Sequence, residues 1–321
     1  MEKIDLKDKK ILYELDLDSR QSNKQIAKKV GLSEQVTGNR INSLIKKNII
    51  DYFYVKTNPT LLGYFHVKTY IRWQKLIKEK ETLLLNELNN KNGIYWMASL
   101  RGKYDFVASI YVKNMAEFSE RYDDIFNKYI DYIADRNIIV LEKAYTYSKA
   151  FLLEDREAKG IVYSLGKEKK VILDEKDKEL LRILNKDGRA SLLDIAKKLN
   201  VSSDTIRYRI NNLKKSGLIT GFGVKVNFEI INYEYSIISL KLQNMDNEKY
   251  KRLETFCKLN KNVVIFIKTV GDHDVELEVE TKNRNELDEL IKNLRDSFIL
   301  EIKDYEIFEV IKEYRMTYYP F

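Results

Sequence analysis

The sequence predicts an α+β protein made of two tandem units, each a winged helix-turn-helix followed by a ferredoxin-like βαββαβ domain. Three observations support this prediction: an internal repeat at one fixed offset, short capped amphipathic helices at the start of each copy, and strands of alternating polarity after them. We expect domains at 1–60 and 61–152, a linker at 153–172, and domains at 173–228 and 229–321.

The internal repeat has an offset of 169 residues and covers both domains of each unit. Identical residues recur at this offset, among them Asp5 and Asp174, Asp8 and Asp177, Arg20 and Arg189, Ser33 and Ser202, Arg40 and Arg209, Asn42 and Asn211, Gly102 and Gly271, and Asp105 and Asp274. A constant offset without net insertion indicates duplication of a whole two-domain module, because the period is far too long for a solenoid.

The composition excludes several classes of protein. Charged residues make up 33% and apolar residues 44% of the chain, as expected of a globular protein. Cys257 is the only cysteine, which excludes an internal disulfide and a thiolate metal cluster. No stretch has the length and apolarity of a membrane helix, and the first residues lack an apolar signal core. We therefore expect a cytoplasmic protein that does not enter a membrane.

The net charge of +8 is unevenly distributed along the chain. Residues 1–60 carry +4 and residues 167–228 carry +7, whereas residues 61–166 carry +2 and residues 229–321 carry −5. The positive charge is therefore concentrated in the two helical segments, and this pattern favours a polyanionic partner.

The helical segment of the second copy shows clear boundary signals. Asp174 is a plausible cap before a first apolar stripe, Ser191 and Asp194 form a capping-box pattern, and Ser202 precedes a third helix that ends near Gly217. The residues from Leu218 to Val226 predict a β-wing. Three short helices followed by a wing are the plan of a DNA-binding helix-turn-helix.

The third helix of this copy is the predicted recognition helix for double-stranded DNA. Its candidate DNA-binding residues are Ser202, Ser203, Asp204, Thr205, Arg207, Tyr208, Arg209, Asn211 and Lys214. Arginine can donate two hydrogen bonds to guanine, asparagine can pair with adenine, and nearby lysines can contact phosphates. The alternative is a solvated charged face on a small helical domain.

The third helix of the first copy departs from this pattern. Thr37, Gly38 and Asn39 stand at the positions of Ile206, Arg207 and Tyr208. A glycine inside a helix costs about 1 kcal/mol relative to alanine, and here it also removes a cation. The remaining candidate DNA-binding residues are Ser33, Gln35, Asn39, Arg40 and Asn42. We expect this copy to bind DNA more weakly or to recognise a different half-site.

The second domain of each unit has the order strand, helix, strand, strand, helix, strand. In the first copy we expect strands at 67–73, 95–100, 106–112 and 138–147 and helices at 80–88 and 116–132. Such a sheet leaves one face bare, and a second copy often covers it. In the second copy Glu276, Glu278 and Glu280 line one strand face. This face is either solvated or paired with Lys68 and Arg72 of another sheet.

These motifs resemble the leucine-responsive regulators of the Lrp/AsnC family. The resemblance rests on the Asp-x-x-Asp start, the Ser202-x-x-Thr205-Ile206-x-x-Arg209-Ile210 helix, the Gly217-Leu218-Ile219 end and the Gly-x-x-Asp turns at Gly102 and Gly271. It implies a DNA-binding transcriptional regulator that self-associates through its α/β domains. Family members usually have one unit per chain, and from the tandem departure we expect one chain to supply both halves of a pseudo-dimer that binds two unequal half-sites.

Many members of that family sense an amino acid near the glycine turn. The resemblance therefore suggests a small-molecule effector site at Gly102, Tyr104, Asp105, Gly271 and Asp274. The alternative is a tight turn that simply requires glycine.

Two other functions are compatible with the sequence. Siroheme decarboxylases resemble this family and also occur as fused pairs, so an enzyme is one alternative. The chain has only two histidines, His66 and His273, at non-equivalent positions, and it lacks a phosphate-binding Gly-Lys loop and a His-rich metal motif. We therefore expect no catalytic residues, no metal and no cofactor. A sequence-tolerant architectural DNA-binding protein is the other alternative.

Overall fold

The computed structural model describes residues 3–91, 93–153, 160–164 and 170–317. The helices of the first unit are α1 (Leu6–Leu17), α2 (Asn23–Val30), α3 (Glu34–Lys46), α4 (Lys78–Asn90) and α5 (Met115–Phe126). Its strands are β1 (Ile50–Thr57), β2 (Phe65–Trp73), β3 (Ile94–Arg101), β4 (Phe106–Val112) and β5 (Ile133–Tyr147). Strand β6 (Gly160–Ser164) then pairs with β5, so the segment expected to be a plain linker contributes a strand.

The second unit repeats this order. Its helices are α6 (Glu175–Lys186), α7 (Leu192–Leu199), α8 (Ser203–Lys215), α9 (Asn247–Leu259) and α10 (Arg284–Ser297). Its strands are β7 (Ile219–Val226), β8 (Glu234–Leu242), β9 (Val263–Val270), β10 (Val275–Thr281) and β11 (Ile302–Met316). The bounds of α8, β7 and β11 are those of α3, β1 and β5 moved by the repeat offset, as duplication requires.

The helix boundaries follow from local capping chemistry. The side chains of Asp174, Ser191 and Ser202 accept hydrogen bonds from the third backbone N–H of α6, α7 and α8 respectively, as predicted. Gly217, with φ +80°, follows the last turn of α8 in the left-handed conformation. These caps set the starts of the three helices of the second unit, and Gly217 sets the end of the third.

Two expected element bounds in the first α/β domain are wrong. The helix expected at 116–132 ends at Phe126 and continues as a 3-10 helix over Asn127–Tyr132. The last strand, expected to start at 138, starts at Ile133. Strand β5 begins directly after Tyr132, so no loop separates it from the helical segment. The helical segment ends in the tighter 3-10 form, as is common at helix termini.

The predicted β-wing is not a hairpin within one unit. Strand β1 pairs antiparallel with β7, so the single wing strand of each unit completes that of the other. The register is itself symmetric, because Ile50 lies opposite Val226 and Thr57 lies opposite Ile219, and these two pairs exchange under the repeat offset. The two helix-turn-helix domains are therefore related by an approximate two-fold axis through the wing pair.

The two four-stranded sheets join into one closed barrel. Within the units the orders are β5-β2-β4-β3 and β11-β8-β10-β9, the order of a ferredoxin-like sheet. Between units β3 pairs with β11, and β9 pairs with β5. The expected association of the α/β domains therefore takes place between the two units of one chain, and barrel closure leaves no bare sheet edge among these eight strands.

Each sheet of the barrel has one face covered by helices and one face that points into the barrel. Helices α4 and α5 cover one sheet, and α9 and α10 cover the other, over two separate hydrophobic cores. The opposite side chains point into the barrel, where an aromatic and aliphatic cluster includes Tyr70, Trp96, Tyr104 and Phe308. Between the barrel and the helix-turn-helix domains lies a cavity of about 990 Å³. Along the described part of the chain, no helix is long and apolar enough to cross a membrane.

Candidate nucleic-acid interface and barrel cavity

Helix α8 presents the polar face predicted for recognition. Arg207, Tyr208 and Asn211 are exposed, and Tyr208 keeps 67% of its accessible surface. The opposite face packs into the hydrophobic core through Ile206, Ile210 and Leu213. A phenol ring left in water next to an arginine and an asparagine forms a surface that can contact base edges in the major groove.

The start of α8 is held by its own polar side chains. Ser202 Oγ accepts the backbone N–H of Thr205 at 3.1 Å and lies 2.9 Å from Thr205 Oγ1. Asp204 is exposed and accepts a hydrogen bond from Arg207 at 2.5 Å. Ser203, the first residue of the helix, is partly exposed. The helix N-terminus remains open to solvent, and its free N–H groups can meet a phosphate.

Arg209, one of the predicted DNA-binding residues, is bound to carboxylates of its own domain. Its Nη1 lies 2.7 Å from Asp174 Oδ2 and 2.7 Å from Asp177 Oδ1, at the start of α6. These bonds raise the pKa of the Arg209 guanidinium and fasten the middle of the recognition helix to the first helix of its domain. The sequence placed Arg209 at the flank of the helix, and its carboxylate partners lie more than thirty residues away.

Arg40 repeats this arrangement in the first unit. Its Nη1 lies 2.8 Å from both Asp5 Oδ2 and Asp8 Oδ1. Arg40 and Arg209 therefore each bind two carboxylates of their own domain in this structure, and their assignment as DNA-binding residues stays a prediction. The Asp-x-x-Asp motif at the start of each unit serves as a helix cap and as the anchor of this arginine.

The recognition helix of the first unit, α3, is exposed but carries less charge. Gln35, Asn39 and Asn42 face solvent, and Ser33 caps the helix through the backbone N–H of Val36. A Cβ at Gly38 would lie 2.9 Å from Asn23 Nδ2 on α2. The glycine therefore permits close packing of α2 on α3, a role that the sequence alone did not indicate.

Lysines flank the second recognition helix. Lys197 and Lys198 on α7 and Lys215 at the end of α8 are exposed. Lys214 Nζ lies 5.1 Å from the ring centroid of Phe222, so its stem packs over the wing strand. Exposed lysines on α7 and at the end of α8 are of the kind that contact phosphates.

Reciprocal arginine contacts join the two helix-turn-helix domains. Arg20 Nη1 donates to the carbonyl oxygens of Gly188 at 2.8 Å and Ala190 at 3.1 Å. Arg189, its repeat partner, donates to the carbonyl oxygen of Gln21 at 3.4 Å. Together with the β1–β7 pairing, these bonds hold the two recognition helices in one fixed arrangement.

The glycine turns proposed as an effector site are contacts between the units. Gly102 has φ +149°, and a Cβ there would lie 3.0 Å from the carbonyl oxygen of Ile307. Gly271 has φ +151°, and a Cβ there would lie 2.7 Å from Ile139 Cγ2. Both turns therefore require glycine because a strand of the other unit passes directly over them, which favours the tight-turn alternative.

The other residues of the proposed effector site also have structural partners. Asp105 Oδ2 accepts the backbone N–H of Trp73 at 2.8 Å, and Asp274 Oδ2 accepts that of Leu242 at 2.7 Å. Tyr104 is buried, with its ring centroid 5.7 Å from that of Tyr70. These contacts align the ends of neighbouring strands.

The acidic strand face of the second unit is buried inside the barrel, not solvated. Lys68 Nζ from β2 lies 2.7 Å from Glu276 Oε2 and 3.0 Å from Glu278 Oε1. Burial alone would raise the pKa of Glu276, but Lys68 and His273 bring it down to about 2. The pairing predicted for Lys68 is therefore confirmed within one chain, whereas Arg72 is exposed near the end of β2 and does not meet these carboxylates, so that half of the prediction is wrong.

The barrel mouth contains a group of residues that the sequence did not reveal. His66, Tyr95 and Tyr111 pack together on one side with ring centroids 4.5 to 4.6 Å apart. Glu280 lies on the other unit and is bound by Lys149 at 2.6 Å. Strand alternation alone placed Tyr111 and Glu280 at equivalent positions, but only barrel closure shows that they share one cavity.

The fold and the exposed helices define a winged helix-turn-helix DNA-binding protein with a duplicated α/β module. A family model for winged helix-turn-helix DNA-binding domains matches residues 4–51 and 173–220, once in each unit. An uncharacterised HTH-type transcriptional regulator of Pyrococcus abyssi is 35% identical over 144 residues, which are 44% of this chain and 96% of that protein. The HTH-type transcriptional regulator FL11 of Pyrococcus abyssi is 33% identical over 122 residues, 38% of this chain and 80% of that protein.

The chain belongs to the Lrp/AsnC family of transcriptional regulators, as two fused units. Among solved structures, the siroheme decarboxylase NirDL is similar over 98% of this chain and 94% of that chain, with a TM-score of 0.64 and 14% identity. At this identity the similarity shows that the whole duplicated fold is shared, and nothing about chemistry.

Proposed function

We propose that the chain is a sequence-specific DNA-binding transcriptional regulator in which one molecule supplies two unequal DNA-binding domains, as the two subunits of a dimer would. The symmetric pairing of β1 with β7 is the observation that carries the proposal, because it fixes two recognition helices about a local two-fold axis. Dimeric helix-turn-helix proteins bind two half-sites spaced by about one helical turn, roughly 34 Å. Here the two half-sites would differ in sequence.

The asymmetry follows from the exposed faces of the two helices. Helix α8 offers Arg207 and Tyr208, whereas α3 offers Gly38 and Asn39 at the same positions. Arg207 can make the bidentate contact to guanine that contributes about 1–3 kcal/mol of discrimination. We therefore assign most of the sequence preference to the half-site under α8.

The test is selection of bound duplexes from a random pool with the full chain, followed by titration of the selected site. Isolated domains are unsuitable because β1 and β7 each need the other unit as a partner. We expect a site of two unequal halves, with Arg207→Ala weakening binding about 5- to 150-fold and relaxing one position.

Arg284→Ala is the matched control. Arg284 is also an exposed arginine in a helical ion pair, with Asp288 at 2.9 Å, but it lies on α10 of the barrel. It should leave the affinity nearly unchanged at fixed salt. Equal losses for both variants, or a pool that yields no preferred sequence, would favour a sequence-tolerant architectural protein instead.

An enzyme acting on a molecule in the barrel cavity is the second candidate, and the volume of about 990 Å³ is the observation that favours it. The residues of this chain suit acid–base chemistry poorly. Burial and the nearby Lys68 lower the pKa of His66 to about 3, and His273 hydrogen-bonds to Glu276 at 2.8 Å. Incubation with siroheme should leave the tetrapyrrole absorbance and mass unchanged, whereas loss of carboxyl groups would establish the enzyme.

A further inference from the structure

The cavity at the barrel mouth is closed on the DNA-binding side by the paired wing strands. Tyr52, Tyr54 and Lys56 of β1 and Lys225 of β7 form its roof, and the two sheets form its floor and walls. Its volume of about 990 Å³ lies at the upper end of the range for small-molecule sites. A molecule held here would touch both units and both wing strands.

One wall of the cavity is aromatic and uncharged. Tyr95 and Tyr111 stack with ring centroids 4.5 Å apart, and His66 lies 4.5 Å from Tyr111. The pKa of His66 is lowered to about 3 by burial and by Lys68, so the imidazole carries no charge at neutral pH. Clustered neutral rings attract a cation through their faces.

Two buried carboxylates, Glu278 and Glu280, line the cavity, and Glu276 lies on the same strand face outside its lining. Glu276, Glu278 and Glu280 point into the barrel, where Lys68 binds the first two and Lys149 binds the third. Three carboxylates therefore share two ammonium groups. Glu280 is 95% buried, and among the described residues its Oε2 atom has no hydrogen-bond partner. A buried carboxylate oxygen without a donor is costly, and a further cation would relieve this cost.

We propose that the barrel mouth is a binding site for a small organic amine, whose ammonium group donates to Glu280 Oε2 while its apolar part packs on Tyr95 and Tyr111. The expected ligand carries one positive charge and an aromatic or branched apolar group. It does not depend on the proposed DNA binding, and it can be tested with no DNA present.

The part of the lining around Glu280 disfavours a ligand with a carboxylate. The lysines nearest the roof already bind protein groups: Lys56 donates to the carbonyl oxygen of Asp16 at 2.8 Å, and Lys225 pairs with Glu313. Lys149 is bound to Glu280. A carboxylate placed beside Glu280 would have to displace the Lys149 pair, whereas an ammonium group would offset the negative charge of Glu280.

Calorimetric titration of the full chain with three matched probes tests the proposal. Phenethylamine carries only an ammonium group, 3-phenylpropionate carries only a carboxylate, and phenylalanine carries both. We expect phenethylamine to bind at least tenfold more tightly than either of the others. Equal or tighter binding of 3-phenylpropionate or phenylalanine, or no binding of phenethylamine at millimolar concentration, would overturn the proposal.

Glu280→Gln keeps the shape of the side chain and removes its charge, and should weaken phenethylamine binding at least tenfold. Glu309→Gln is the control, because Glu309 also lines the cavity but is 45% exposed and already pairs with Arg101 at 2.6 Å. It should change the affinity less than twofold. Similar effects of both substitutions would contradict the assignment to Glu280.

A second measurement remains informative if Glu280→Gln does not fold. The chain has two tryptophans, of which Trp96 lines the cavity and Trp73 packs on Phe106 on the helix-covered side of the sheet. In the Trp73→Phe chain the fluorescence of Trp96 should change on titration with phenethylamine. The dissociation constant from this titration should equal the one measured by calorimetry. Calorimetric binding without any change in this fluorescence would place the amine outside the cavity.

Discussion

Replacing Lys68 by methionine should destabilise the chain by about 3–5 kcal/mol, the usual cost of removing one partner from a buried ion pair. The side chains of Lys68 and Glu276 are fully buried, and that of Glu278 is 8% exposed. Without the ammonium group, at least one carboxylate must take up a proton. At neutral pH this costs about 3 kcal/mol for a group with an ordinary pKa near 4.5.

The assay is urea unfolding of the full chain, followed by circular dichroism at about pH 7 and about pH 5. The deficit of Lys68→Met should shrink at the lower pH, because protonating a carboxylate there costs only about 1 kcal/mol. Adding Glu276→Gln and Glu278→Gln to the same chain should recover most of the loss.

Lys103→Met is the matched control, since Lys103 pairs with Glu306 at 3.1 Å but is 41% exposed. A surface pair of this kind contributes at most about 1 kcal/mol. If Lys68→Met cost no more than Lys103→Met, or if its deficit were the same at both pH values, the cost of burying Glu276 and Glu278 without a cation would not explain the loss.

Three further outcomes follow from the packing. Gly188→Ala places a Cβ 2.8 Å from the backbone of Tyr54 and should cost about 1–3 kcal/mol in thermal unfolding, whereas Gly221→Ala meets only ordinary contacts and should cost less than about 0.5 kcal/mol. Since the pKa of Glu276 is about 2 when folded and 4.5 ordinarily, its stabilisation is complete above pH 4.5 and is lost as the pH falls towards 2, so Glu276→Gln should flatten urea stability across that window. Cys257 is buried and its thiol pKa is raised, so a disulfide reagent should label it only after unfolding.

Features set by neighbouring residues could be predicted from the sequence. Ser202 caps α8 and Gly217 ends it because both act within one helical turn. Strand β4 was predicted over its full length, Phe106–Val112, because it is a short, mostly apolar run that directly follows the turn at residues 101–105. The duplicated order of the elements followed directly from the repeat.

Features set by distant residues could not be predicted in the same way. The partners of Arg209 are carboxylates on another helix, and a helical pattern shows only that this arginine lies at the flank. Pairing of β1 with β7 joins segments about 170 residues apart, and neither strand signals by itself that its partner lies in the other unit. The cavity likewise exists only once β3 meets β11 and β5 meets β9.

The buried ion pair shows what the fusion of two units permits. Lys68 is replaced by Ile237 in the second unit, and Glu276 and Glu278 by Val107 and Ser109 in the first. In a symmetric dimer of identical units every barrel position would carry the same residue twice, so two copies of the second unit would bury four of these carboxylates with no Lys68 to meet them. Because the two units are covalently joined, one could become the acidic partner and the other the basic one, and the cost of buried charge then opposes exchange of units between chains. The same freedom separates an aromatic wall from an acidic wall in the cavity and lets α3 and α8 present different faces to DNA.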